Sequence, residues 1–257
     1  MDLGLHERVL VVTGGTRGLG RASAEALVGE GARVLVTGRD EEAVAATVTA
    51  LEGIAAGPDA VGGLVADNAD PETPARILAA ARERWGRLDG ALISVGGPPP
   101  GTPDRLTDEQ WRTAFDSVFL GTVRLCRELG AELGAGGSLA LVLSSSVRTP
   151  IAGLGASNGL RPGLAMLAKD LADEWGPRGI RVNGLLPGRL ATDRVAQLDA
   201  SSGDGEAARE RWEQQIPLRR YGDPAEFGRA AAFLLSPAAS FITGTMLPVD
   251  GGLLRSL

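Results

Sequence analysis

Apolar residues follow two alternating patterns along the chain. Short runs rich in Val, Ile and Leu, the first of them at 9–12, are typical of buried strands. Longer segments repeat apolar positions every three or four residues, as a helix with one buried face does. Strands are predicted at 9–12, 33–37, 61–66, 88–95, 137–144 and 180–186. Helices are predicted at 21–30, from 40 onward, and at 71–85, 108–133, 160–175 and 206–215.

This alternation predicts an α/β fold, a doubly wound parallel sheet with helices on both faces. Parallel strands need long crossovers, which the helices supply. Ligands of such sheets bind at the carboxyl ends of the strands. The proline-rich segment 98–101 and the polar segment 201–205 interrupt the pattern. Both are short, so residues 1–257 are predicted to form a single domain.

Composition and charge narrow the class of protein. A hydrophobic content of 44% with 23% charged residues supports a large core and a globular fold. The formal net charge of −6 and the scattered basic residues argue against a nucleic-acid partner. With one cysteine, Cys126, and one histidine, His6, neither a disulfide nor a metal site is expected. The acidic N-terminal residues and the lack of a long apolar run predict no signal peptide, no membrane partner and a cytoplasmic location.

A glycine-rich segment separates the first predicted strand from the helix that follows it. Gly14, Gly18 and Gly20 stand between the two, where missing side chains let a pyrophosphate approach the helix N-terminus. A tight turn without a ligand is the alternative interpretation of the glycines. The order of strand, turn and helix favours a dinucleotide site.

The spacing Gly-x-x-x-Gly-x-Gly after a threonine resembles the short-chain dehydrogenase/reductase family, and the resemblance covers nearly the whole chain. Further motifs that carry it are Asp67-Asn68, Ser94-Val95-Gly96-Gly97, Asn183, Pro187-Gly188, Thr192, 242–244 and 249–252. The resemblance implies a Rossmann-like sheet of about seven strands, a nicotinamide dinucleotide, a small-molecule substrate and a homo-oligomer, either tetramer or dimer. The candidate cofactor-binding residues are Gly14, Thr16, Arg17, Gly18, Leu19, Gly20, Arg39, Asp67, Asn68, Ser94, Gly96, Arg161, Pro187, Gly188 and Thr192.

Charge at the end of the second predicted strand indicates which dinucleotide is preferred. NAD-binding proteins place a carboxylate there for the ribose 2′-hydroxyl, whereas NADP-binding proteins place arginine beside the 2′-phosphate. Arg39 stands at this position and Arg17 lies in the glycine turn, so NADP(H) is predicted. Asp40, a predicted helix cap, follows directly and leaves NAD(H) possible. Two ordinary surface arginines are the alternative interpretation.

The sequence lacks the tyrosine and the lysine of the family's catalytic pair. The family uses a tyrosine as proton donor and a lysine four residues later, but the single tyrosine here, Tyr221, lies in a different segment. Ser157 follows Ser144 by thirteen residues and precedes Asn183 by twenty-six, the two spacings that the family gives its tyrosine. Ser157 and Arg161 therefore stand where the tyrosine and the lysine are expected.

These replacements change the chemistry that the site can perform. A phenol has a pKa near 10, an alkyl hydroxyl is a far weaker acid, and arginine stays protonated. Ser157 is therefore a poor proton donor, whereas Arg161 can hold ribose hydroxyls or an oxyanion, and water can reprotonate an alkoxide. Ser144 either orients a substrate oxygen or caps local backbone groups. Val118, at the position of a structural asparagine of the family, is predicted to lie in the core.

The predicted function is an NADP(H)-dependent oxidoreductase that acts on a carbonyl or alcohol with a non-standard proton donor. Two alternatives stay open: a catalytically degenerate protein that senses NADP(H), and a non-redox enzyme on the same scaffold. Trp212 is a candidate to cover bound substrate. Arg189 and Arg194 are candidates to meet a substrate anion, although the preferred interpretation of both is a solvated surface residue, as it is for Lys169.

Overall fold

A computed structural model describes residues 2–201 and 203–256. Its strands are β1 Val9–Val12, β2 Arg33–Gly38, β3 Val61–Val65, β4 Gly90–Ile93, β5 Ser138–Val142, β6 Arg181–Pro187 and β7 Met246–Val249. Its α-helices are α1 Gly18–Gly29, α2 Glu41–Glu52, α3 Thr73–Trp85, α4 Asp108–Ala114, α5 Gly121–Glu132, α6 Gly155–Trp175, α7 Asp193–Ala200, α8 Gly205–Gln215 and α9 Pro224–Leu235. A π-helical turn, Phe115–Leu120, joins α4 to α5, and a 3₁₀ turn, Ser145–Val147, follows β5.

The strands form one parallel sheet in the order β3-β2-β1-β4-β5-β6-β7. The chain winds outward from β1 in one direction and then from β4 in the other, which places helices on both faces. The predicted doubly wound α/β fold is therefore confirmed. Strand β7 pairs with β6 but contains Pro248 and is only partly buried. The apolar pattern did not detect it for this reason.

Alternation along β1 shows how the sheet divides the core. Val9 and Val11 join one buried cluster with side chains of α3, α5 and α6. Leu10 and Val12 point to the opposite face and join a second cluster with α1 and α9. In that second cluster Phe227 of α9 is fully buried, and burial of such a side chain stabilises the fold by about 1.5–3 kcal/mol. The two clusters hold the central strands rigidly in place.

Two helices begin earlier than predicted because their first turns contain glycine. Helix α1 begins at Gly18 and α6 at Gly155, instead of at 21 and 160. Glycine has low helix propensity, so the apolar pattern becomes visible only after the first turn. The longer α6 places Ser157 and Arg161 on helical backbone. The other predicted ends differ from the observed ones by two residues or fewer.

The predicted helix 108–133 is interrupted by the π-helical turn. Val118 lies in this turn and is 1% exposed, which confirms its predicted place in the core. Its carbonyl oxygen accepts a hydrogen bond from Thr122 Oγ1 at 2.7 Å. Beyond the turn, a Cβ atom on Gly121 would lie 2.3 Å from the carbonyl oxygen of Asn68. The interruption therefore lets the start of α5 approach the segment that follows β3, a contact that helical periodicity does not encode.

Part of the predicted loop 201–205 lies outside the described residues, because Ser202, like Met1 and Leu257, is not among them. Within the described ranges, no helix is long and apolar enough to cross a membrane.

Candidate active site

The glycine turn lies at the carboxyl edge of the sheet, between β1 and α1. Gly14 and Gly18 have φ angles of 57° and 54°, a conformation that favours glycine. A Cβ atom on Gly20 would lie 2.2 Å from the carbonyl oxygen of Gly14, and one on Gly14 would lie 2.9 Å from that of Ser94. The turn therefore packs closely against neighbouring backbone and excludes side chains at Gly14 and Gly20.

Thr13 fastens this turn to the end of β4. Its Oγ1 donates to the Ser94 carbonyl oxygen at 2.8 Å and accepts from the Ser94 N–H at 2.9 Å. Asn68 Nδ2 donates to the same carbonyl oxygen at 3.2 Å. Three predicted parts of the site, the glycine turn, Asn68 and Ser94, are thus brought together. The threonine of the glycine motif was the available signal, although its role depends on a partner 81 residues away.

Three other cofactor candidates have looser surroundings. Asp67 is half-buried after β3, and its Oδ1 accepts from the Ala69 N–H at 3.0 Å. A Cβ atom on Gly96 would meet nothing within 4 Å, so space does not require glycine there. Leu19 is half-buried against the cluster between the sheet and α9. These surroundings neither support nor contradict a role of the three residues in cofactor binding.

The glycine turn also touches the end of β2. A Cβ atom on Gly38 would lie 2.6 Å from Thr16 Cγ2. Arg17 follows Thr16 and Arg39 follows Gly38, and both arginine side chains are exposed. Among the residues that the structure describes, neither guanidinium has an ionic partner. The contact therefore brings two positive charges, neither paired with a carboxylate of the described residues, to the same edge of the site.

The loop after β6 returns to the glycine turn. Pro187 ends β6, and a Cβ atom on Gly188 would lie 2.6 Å from Asp250 Cβ, so the loop runs close to the segment after β7. Thr192 caps α7, and its Cγ2 lies 3.7 Å from where a Cβ atom of Gly18 would stand. The predicted nicotinamide segment and the predicted pyrophosphate segment are thus adjacent.

Ser157 forms its side-chain contact with Ser146, which spacing did not single out. The two Oγ atoms are 3.2 Å apart, and both residues are buried. Ser144 instead accepts from the Ser146 N–H at 3.1 Å as the cap of the 3₁₀ turn. The structure therefore favours the capping interpretation of Ser144. Three consecutive serines cannot be ranked by spacing, because the turn decides which hydroxyl faces α6.

Arg161 lies at the carboxyl end of β5 and is 5% exposed. Its Nη1 donates to the carbonyl oxygen of Val142, while its Nε is buried and has no hydrogen-bond partner among the described residues. Burial lowers the pKa of this guanidinium to about 10. Ser157 precedes Arg161 by one helical turn on the same face of α6. The structure therefore brings the two predicted replacement residues to one place.

Comparison with known proteins assigns the chain to a family. Residues 14–254 match the family model described as Enoyl-(Acyl carrier protein) reductase. The chain is 34% identical over 254 residues to the uncharacterized oxidoreductase Rv1714 of Mycobacterium tuberculosis (strain ATCC 25618 / H37Rv), covering 96% of this chain and 92% of that relative. The chain belongs to the short-chain dehydrogenase/reductase family of oxidoreductases.

Other members of the short-chain dehydrogenase/reductase family extend the similarity to solved structures. Levodione reductase of Leifsonia aquatica is 33% identical over 262 residues, covering 96% of this chain and 94% of that relative. The structure of L-sorbose reductase from Gluconobacter frateurii, complexed with NADPH and L-sorbose, superposes with a TM-score of 0.92 at 26% identity over 100% of both chains. The family and the fold that the sequence motifs implied are confirmed.

In this short-chain dehydrogenase/reductase the single tyrosine lies in a hydrogen-bonded cluster with Asp199 and Arg189. Tyr221 donates its hydroxyl to Asp199 Oδ2 at 2.9 Å, and Arg189 Nη1 donates to Asp199 Oδ1, also at 2.9 Å. Burial, followed by the hydrogen bond to Asp199, raises the pKa of Tyr221 to about 12. The hydroxyl thus fastens the loop before α9 to α7.

Arg189 and Arg194 of this family member are not the solvated residues that the sequence predicted. The guanidinium of Arg189 stacks 3.9 Å from the ring centroid of Trp212, so Trp212 contacts an arginine where a substrate-covering role was expected. Arg194 Nη2 donates to the Pro98 carbonyl oxygen at 2.8 Å, which links α7 to the loop after β4. The solvated interpretation of both arginines was wrong, because each guanidinium binds a group of another segment. The covering role of Trp212 stays a prediction. Lys169 is exposed, as predicted.

Proposed function

We propose that this protein is an NADP(H)-dependent oxidoreductase that acts on a small carbonyl or alcohol substrate with a non-standard proton donor. The observation that carries the proposal is the contact between Thr16 and Gly38, where a Cβ atom on the glycine would lie 2.6 Å from Thr16 Cγ2. This contact brings Arg17 and Arg39 to the edge of the glycine turn.

The glycine turn fits the pyrophosphate of a dinucleotide. A Cβ atom on Gly20 would collide with the backbone of the turn, 2.2 Å from the Gly14 carbonyl oxygen, so the tight turn requires glycine there. The residue before α1, Arg17, makes no side-chain hydrogen bond to the helix, and the first turn of α1 carries no acidic residue. The N–H groups at the start of α1 therefore stay available for phosphate oxygens, which the partial positive charge of the helix N-terminus also favours.

Arg17 and Arg39 suit the phosphate on the adenosine ribose of NADP(H), because guanidinium groups bind phosphate through two parallel hydrogen bonds. Asp40 would suit the 2′-hydroxyl of NAD(H). However, Asp40 accepts from the Ala43 N–H at 2.8 Å as the predicted cap of α2. These contacts support NADP(H) over NAD(H). We assign Asp67 to the adenine and the loop 187–192 to the nicotinamide.

When bound, NADPH supplies the hydride that reduces a substrate carbonyl. Ser157, with Arg161 one helical turn away, donates a hydrogen bond to the carbonyl oxygen and stabilises the negative charge that develops on it. Ser146, with its Oγ 3.2 Å from that of Ser157, orients the Ser157 hydroxyl. Because serine is a much weaker acid than a phenol, the resulting alkoxide takes its proton from water and Ser157 keeps its own.

Fluorescence titration with NADPH and NADH tests the cofactor assignment. Arg17→Ala and Arg39→Ala should each weaken NADPH binding about 10- to 100-fold, because charge-assisted hydrogen bonds contribute about 1.5–3 kcal/mol. NADH binding should not change. Arg229→Ala, which removes an exposed arginine of α9, is the control and should bind both dinucleotides as the wild type does. Equal losses for NADPH and NADH would contradict the assignment.

Turnover is then followed at the nicotinamide absorbance with a panel of carbonyl compounds. Oxidation of NADPH by at least one compound is expected, and Ser157→Ala should reduce its rate about tenfold. Replacing the pair by Ser157→Tyr with Arg161→Lys should lower activity, because it removes the contact of Ser157 Oγ with Ser146 Oγ and the bond from Arg161 to the Val142 carbonyl oxygen. Binding of NADPH without oxidation across a broad panel would favour the sensor instead, and a lack of binding would exclude both functions.

A further inference from the structure

The guanidinium of Arg161 is buried with most of its hydrogen-bond donors unused by the described residues. A guanidinium carries five N–H donors. Nη1 donates to the carbonyl oxygen of Val142, and the buried Nε has no partner. No carboxylate in the described ranges lies within 4.0 Å of it, and burial alone accounts for its lowered pKa. The positive charge of Arg161 is therefore uncompensated by the chain itself.

Two other arginines, the buried Arg181 and the half-buried Arg189, show how this fold ordinarily satisfies a guanidinium. Arg181 donates to three backbone carbonyl oxygens at 2.7, 3.4 and 2.9 Å. Arg189 pairs with the carboxylate of Asp199 at 2.9 Å and stacks on Trp212. Arg161 has neither arrangement. Because a buried cation without a counter-charge is unfavourable, a partner from outside the chain suits Arg161.

The topology places this cation at the edge of the sheet where ligands of such folds bind. Val142 ends β5, so Arg161 lies at the carboxyl edge of the sheet. A second arginine, Arg194, reaches the Pro98 carbonyl oxygen in the loop after β4, the neighbouring strand. Ser157, which holds the reacting oxygen in the proposed function, is one helical turn from Arg161. Two arginines therefore contact the segments that end the neighbouring strands β4 and β5, and one of them lies beside Ser157.

We infer that Arg161 receives a carboxylate of the substrate, which is therefore a small oxo acid or hydroxy acid. This assignment rests on the proposed function, which places the reacting oxygen at Ser157. Side chains four residues apart on a helix are neighbours, with Cβ atoms about 5–6 Å apart, so the carboxylate lies one or two bonds from the reacting carbon. A carboxylate accepts two parallel hydrogen bonds from a guanidinium and supplies the missing negative charge. A ribose hydroxyl satisfies donors but leaves that charge uncompensated.

Isothermal titration of the NADP⁺-loaded enzyme with benzoylformate and with benzoylformamide tests this assignment, because NADP⁺ reduces neither probe. The wild type should bind the carboxylate about 10- to 100-fold more tightly than the amide. Arg161→Met should bring the two affinities to about the same value. Arg161→Lys keeps the charge without the planar fork and should retain part of the preference. The control Arg229→Met should keep all of it.

Equal affinity of the wild type for the two probes would overturn the assignment, as would an unchanged preference in Arg161→Met. A loss of NADP⁺ binding in Arg161→Met with the preference retained would also overturn it, by assigning Arg161 to the cofactor. If Arg161→Met does not fold, the wild type decides: benzoylformate should raise its Tm, and benzoylformamide at the same concentration should not. The same titrations without NADP⁺ separate this assignment from the cofactor proposal, since the charge of Arg161 is present in either state.

Discussion

Tyr221→Phe removes one hydroxyl from the cluster that fastens the loop before α9 to α7. That hydroxyl donates to Asp199 Oδ2 at 2.9 Å, where Asp199 is 6% exposed. Phenylalanine fills nearly the same volume, so the lost hydrogen bond determines the effect. Hydrogen bonds to charged groups contribute about 1.5–3 kcal/mol, and the free energy of unfolding should fall by this amount. The ion pair between Arg189 and Asp199 at 2.9 Å remains, so the variant should still fold.

Thermal unfolding and reductase turnover measured on the same preparation check this expectation. In a protein of this size 1 kcal/mol shifts the Tm by about 2–4 °C, so the Tm of Tyr221→Phe should fall by about 3–12 °C. Turnover well below the Tm should stay within about twofold of the wild type, because Tyr221 lies in a structural cluster. Ser157→Ala is the contrasting variant, with lower turnover and a small change in Tm. An unchanged Tm with lost turnover in Tyr221→Phe would refute the reasoning, since Tyr221 would then be the proton donor.

The same hydroxyl predicts a dependence of stability on alkaline pH. Burial, followed by the hydrogen bond to Asp199, raises the pKa of Tyr221 from 10.0 to about 12. A pKa raised in the folded state means that the protonated phenol contributes its full stability below the unfolded pKa near 10 and loses it as the pH rises toward 12. Urea unfolding should therefore show the stability difference between wild type and Tyr221→Phe narrowing over this window. A constant difference up to pH 12 would contradict the assignment.

Three further expectations concern other parts of the molecule. Gly20→Ala places a Cβ atom 2.2 Å from a backbone carbonyl oxygen and should weaken NADPH binding at least about tenfold in a fluorescence titration, whereas Gly29→Ala, where a Cβ meets nothing within 4 Å, should bind normally. The hydrogen bond from Arg220 lowers the pKa of Glu226 to about 2, so its stabilising effect should be present above about pH 4.5 and lost toward pH 2; in urea unfolding, Glu226→Gln should be less stable than the wild type only above this window. Met166→Glu charges an exposed apolar position of α6 and should dissociate the homo-oligomer that the family implies, seen as a lower mass in analytical ultracentrifugation.

Local features of the sequence were enough to determine the fold class and the place of the glycine turn. The apolar run 9–12 and the periodic face of each helix are properties of neighbouring residues, so they can be recognised without knowing what packs against them. The glycines of the turn are likewise required by nearby backbone, as the 2.2 Å approach of a Gly20 Cβ to Gly14 shows. Counting along the chain also singled out Ser157 and Arg161, which the structure places one turn apart on α6, and their roles stay predictions.

The tertiary structure alone decided which of these side chains meet. Ser146 faces Ser157 because the turn after β5 directs its hydroxyl toward α6. Tyr221 and Arg189 both bind Asp199 from separate segments. No sequence pattern predicts that these three side chains meet. The burial of a charged side chain depends in the same way on elements distant in sequence. For that reason the sequence determined where the glycine turn lies, and only the packing of α6 against the sheet showed that Arg161 is a buried charge without a counter-charge.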